Sequence, residues 1–96
     1  MKDEYGYPLE ITPATIERNK HISNELIEED IRDVEREIQK LHAMMDAEKM
    51  LSEVDVSEGD RRMAAFRAGA RPGQIKQRKA FIAFLRKLLA ARAEQP

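Results

Sequence analysis

The chain has 96 residues, 36% of them charged and only 5% aromatic, with no cysteine and a formal net charge of −1. That length sets one domain with a modest core, and a helix-rich, aromatic-poor composition favours a coiled coil or small bundle over a sandwich or barrel. The lack of cysteine excludes disulfides, thiolate chemistry and sulfur-ligated metals, and no apolar run approaches the roughly 18–20 residues that span a bilayer.

Residues 1–11 have no helical period, and Gly6 and Pro8 break any helix, so an extended N-terminal arm is expected there. Its Tyr5, Tyr7, Leu9 and Ile11 offer side chains for docking onto a groove, in this chain or a partner. The opening Met1-Lys2-Asp3-Glu4 lacks the apolar stretch of a signal peptide, which makes a cytoplasmic protein the plain expectation.

The remainder, 12–96, reads as a single helical domain with helices over about 13–51, 58–69 and 74–92. Thr12-Pro13 starts the first: threonine accepts from the orphan N–H groups, and proline fits the first helical position because its missing donor is not needed there. The segment Asn19–Asn24 is weak in helix propensity and allows a second cap at Ser23. From Ile27 the spacing sharpens. Ile27, Ile31, Val34, Ile38, Leu41 and Met45 step by four and three, a heptad seam, while Leu26 and Met44 widen the stripe towards a bundle. Charges at Glu28–Arg32, Asp33–Arg36 and Glu37–Lys40 have the spacing of local ion pairs.

Ser52–Asp60 reads as a connector, with Val54 and Val56 alternating with acids and Ser57 poised as a cap with an acid three residues on. The second helix places Met63, Phe66 and Ala70 on one face. Gly69 is expected to end it, and Arg71-Pro72-Gly73 to prevent an immediate restart. Gln74 opens the third helix, whose Ile75, Phe81, Ile82, Phe84, Leu85, Leu88 and Leu89 form a stripe too wide for one neighbour. Such a stripe is buried on two sides or joins an oligomer, and a dimer is expected. The fold expected is therefore all-α: a long acidic coiled-coil-type helix packed on two shorter basic ones, as a helical hairpin or small bundle.

The charge is unevenly spread. Residues 1–60 hold 17 acidic and seven basic residues, whereas 61–93 hold ten basic and none acidic. Either the halves neutralise each other or one faces a charged partner. No motif carries catalytic chemistry: there is no His-Glu-x-x-His, phosphate-cradling glycine loop or nucleophile elbow. His21 and His42 lack the further donors a metal needs and read as surface residues. Ser23, Ser52 and Ser57 read as helix caps, and the methionines as core filler. No catalytic, cofactor or metal site is expected, and no cofactor.

Arg61–Arg78 has the lettering of helix, short turn and helix. Ala65 sits at an inter-helix contact, Gly69 opens a turn four residues on, and Ile75 follows six later. The string Ala-Ala-Phe-Arg-Ala-Gly-Ala-Arg-Pro resembles the helix-turn-helix segment of phage terminase small subunits and related DNA-binding proteins. The likeness spans about a fifth of the chain, Arg78 departs from it by standing where an apolar residue is expected, and no family is assigned on it. It implies that Gln74, Lys76, Gln77 and Lys79 open a recognition helix while Arg67 and Arg71 hold phosphates. Two functions follow as expectations: a non-enzymatic protein-interaction module, or a DNA-binding protein using 61–79.

Overall fold

The computed structural model describes residues 1–53 and 57–95. Three helices occupy most of them: α1, Pro13–Arg18; α2, Asn24–Glu53; and α3, Glu58–Glu94. The fold is all-α, with no strand among the described residues. Capping residues set the starts. Thr12 Oγ1 accepts from Thr15 N, Ser23 Oγ from Leu26 N, and Ser57 Oγ from Asp60 N. Each cap satisfies a backbone donor that has no intrahelical partner. The weak stretch after α1 breaks the first expected helix, and Ser23 restarts it as α2. Ser52 falls inside α2 rather than at a cap, and the connector residues Val54 and Val56 lie outside the described residues.

α2 and α3 form an antiparallel hairpin, and the molecule built on it measures 62 × 27 × 17 Å. Its register is fixed by cross-helix contacts: Arg92 donates to Asn24 Oδ1 at one end, Arg86 to Glu35 and Arg78 to Glu37 in the middle, and Arg71 to Glu48 towards the turn. The seam supplies the core. Ile27 (0% exposed), Ile31 and Leu41 from α2 are buried, as are Ile75, Ile82, Leu85 and Leu88 (1%) from α3. At roughly 1.5–3 kcal/mol for each such side chain removed from water, this burial outweighs the exposed ion pairs, worth ~0–1 kcal/mol each. Of the local pairs expected on α2, Asp33–Arg36 forms, Glu37 reaches Arg78 instead, and no Glu28–Arg32 pair occurs among the described residues.

The arm is folded back and docked. Asp3 Oδ1 accepts from the backbone of Tyr5 and Tyr7, Gly6 takes φ of +86°, and Lys2 bridges to Pro8. Only glycine adopts that φ without strain, so the turn depends on it. Tyr7 then stacks on Phe84 with centroids 5.6 Å apart and tilts against Phe81 at 5.8 Å. Ile11, Ile16 and Ile22 pack beside it against the core. The wide stripe of α3 is therefore covered on two sides within one chain, by α2 and by the arm with α1, and that stripe gives no reason for a dimer.

The largest departure from expectation is α3 itself. The helices expected at 58–69 and 74–92 are one continuous helix of 37 residues, with Pro72 inside it. Proline cannot donate to the carbonyl four residues back, and its ring crowds that turn. Pro72 is exposed, so its strain falls on the outer side of the helix. On the inner side Arg71 is tied to Glu48, and buried Ile75 holds the next turn against α2. Tertiary contacts on both sides of the proline thus override local breakers that cost roughly 1 kcal/mol per glycine and 3 for proline.

Candidate interaction surface

The six basic and amide residues singled out from the sequence do not come together. Arg71 is largely buried between the helices: Nη2 meets Glu48 Oε1 at 3.1 Å, and Nη1 donates to Gln74 Oε1 at 3.1 Å. Arg71 and Gln74 are therefore structural and face α2. Glu48 Oε2 and Arg71 Nε are buried with no hydrogen-bond partner, so this junction is incompletely satisfied. Lys76, Gln77, Lys79 and Arg67 are exposed. Arg67 and Lys76 are nine residues apart on a helix turning about 100° per residue, which sets them on opposite sides. Lys79 flanks a shallow groove with Glu35, Ile38, Ile82 and Arg86.

A helix-turn-helix needs a turn at Gly69–Gly73, and α3 passes straight through it. Ala65, expected at an inter-helix contact, is exposed, and Ile75 packs against α2 instead of closing a three-helix corner. No recognition helix begins at Gln74. The DNA-binding geometry implied by the resemblance is absent from 61–79.

What the sequence understated is the apolar surface at the turn end of the hairpin. Every residue of 57–70 whose side chain is described is exposed. Among them are Met63 (52%) and Phe66 (75%), three residues apart on one helical stripe with Ala70. Met44 and Met50 near the end of α2 are also exposed, so the methionines there are not core filler. At the opposite end of α2, Leu26 is 51% exposed. The signal was present in the sequence, because Met63, Phe66 and Ala70 share one helical face.

At the opposite end of the hairpin, an open cleft lies between the arm and α1, lined in part by Lys2, Leu9, Thr12, Thr15 and Phe84. Its two threonine hydroxyls bond to each other at 3.0 Å. The Tyr5 phenol is held above its ordinary range, by desolvation first, then by the hydrogen bond and charge of Glu4 and the charge of Asp3. His21 and His42 are exposed, and among the described residues no three His, Asp or Glu side chains converge as for a metal. No helix among them is long and apolar enough to cross a membrane. Compared with protein-family models, curated proteins and solved structures, the chain finds no match.

Proposed function

We propose that this chain is a non-enzymatic interaction module that binds protein through the turn end of its α2–α3 hairpin. The observation that carries the reading is Phe66, three-quarters exposed on a helix whose other aromatic residues are covered. A large aromatic left in water on a rigid helix is the kind of anchor that dominates binding energy when a partner buries it. The surrounding cations add steering rather than much affinity.

Nucleic acid is the weaker reading. Arg71, Arg78 and Arg86 are ion-paired with α2, and the unpaired Arg67 and Lys76 point to opposite sides of α3, which argues against one cationic face joining them. The test is affinity capture from the source cells with wild type, Phe66→Asp and Lys76→Glu, beside a gel shift on random duplex at low salt. Capture of a protein that Phe66→Asp loses and Lys76→Glu keeps supports the module. Duplex binding abolished by Arg67→Glu with Lys76→Glu, and unaffected by Phe66→Asp, replaces it with the nucleic-acid reading.

A further inference from the structure

Three changes coincide along α3 between residues 69 and 75. Helix propensity drops, because Gly69, Pro72 and Gly73 fall within one five-residue stretch. Pro72 also withholds the N–H that the carbonyl of residue 68 needs, a common cause of a sharp bend in a helix. Neither glycine is required for packing, since an added Cβ at either meets nothing within 4 Å. Burial changes at the same place: every described side chain from 57 to 70 is exposed, whereas Ile75 is buried. Between the two regimes stands the Arg71–Glu48 pair, largely buried, with Arg71 Nε and Glu48 Oε2 left without partners. Desolvation and the orphaned atoms offset much of its attraction, so the closed pair lies close in energy to an open, hydrated one.

We infer that α3 is hinged at 69–73 and that the Arg71–Glu48 pair is its latch. Latched, the helix runs straight. Unlatched, 58–70 pivots as one helical unit against the packed 75–92 segment, which α2 and the arm hold. The moving segment carries its own helix signals. Ser57 caps Asp60 N, Glu58 and Asp60 lie at the positive end of the dipole, Glu58 pairs with Arg62, and four alanines follow. It therefore bends as a helix rather than unravelling. Met63 and Phe66 ride on it, so the latch sets where the turn end presents its apolar face. That consequence rests on the reading of the turn end as an interaction surface; the hinge does not. A partner that grips Phe66 better in one position of the segment shifts the population towards it.

The chain has no cysteine, so Ala65→Cys with Ala83→Cys, both exposed sites on α3, carry spin labels alone. On a straight helix these positions lie about 27 Å apart at 1.5 Å per residue. Pulsed dipolar spectroscopy on the labelled chain is expected to show that separation with a minor shorter one. Adding Arg71→Ala is expected to raise the shorter population about tenfold, with helicity by circular dichroism unchanged. Adding Pro72→Ala and Gly73→Ala as well is expected to restore one narrow distance. Glu48→Gln keeps the shape and drops the charge; it is expected to act as Arg71→Ala does, and it serves if that variant fails to fold. One narrow distance that neither unlatching variant changes overturns the hinge. So does a broad distribution that survives Pro72→Ala with Gly73→Ala, or one gained only with loss of helicity. Neither the labels nor the variants replace Phe66, so the hinge and the interaction reading fail independently.

Discussion

The two halves of α3 both carry apolar and basic residues, and their surroundings are opposite. From Ile75 to Arg92 its apolar residues are roofed by α2 on one side and by Tyr7 and the arm on the other. From Glu58 to Ala70 the described side chains all face solvent, Met63 and Phe66 included. A stripe of apolar residues on a helix therefore does not say by itself whether the chain supplies its cover. In the first half of α3 the described apolar side chains stay open, and in the second half α2 and the N-terminal arm cover them.

Truncations sharpen that contrast. Leu88→Ala or Ile27→Ala removes a fully buried side chain and is expected to cost roughly 2–5 kcal/mol, a large part of the stability of a small domain. Arg71→Ala leaves Glu48 buried without its cation and is expected to cost roughly 2–3 kcal/mol. Replacing both members by apolar residues, as in Glu48→Leu with Arg71→Met, recovers that loss or exceeds it, because the unsatisfied atoms go together. Chemical denaturation of wild type, Arg71→Ala and the double variant reads the comparison, and a double variant no better than Arg71→Ala means the junction is more favourable than its orphaned atoms imply.

Changes in the opposite direction probe the continuous helix. Pro72→Ala is expected to stabilise by about 1–3 kcal/mol if α3 runs unbroken through it. Gly69→Ala and Gly73→Ala are expected to add about 0.5–1 kcal/mol each, since an added Cβ meets nothing within 4 Å at either position. Destabilisation by all three in thermal melts signals a real turn there. Phe66→Ala is expected to be the smallest effect, within about 0.5 kcal/mol for the isolated chain, because its side chain has little cover to lose.

The legible and illegible parts of the sequence divide along physical lines. The caps at Thr12, Ser23 and Ser57 and the seam from Ile27 to Met45 are local or strictly periodic signals, and the hairpin follows from them. The passage of α3 through Gly69, Pro72 and Gly73 was not legible, because local propensity argues against it and only contacts distant in sequence, Arg71 with Glu48 and Ile75 with α2, decide it. The same contacts removed Arg71 and Gln74 from the candidate binding set by turning them inwards. The docking of Tyr7 on Phe84 was open in the sequence as one of several destinations for the arm. Charge asymmetry left open whether the halves pair or face a partner, and it gave no hint which cations meet α2, as Arg71, Arg78 and Arg86 do, since that depends on the phase of α3 against α2.

The central claim, that α3 is covered by its own chain over one half and left open over the other, is tested most directly by site-resolved amide hydrogen exchange. In dilute solution, amides of 75–92 are expected to exchange slowly and those of 58–70 quickly. Equal protection along the whole of α3 in dilute solution contradicts the account.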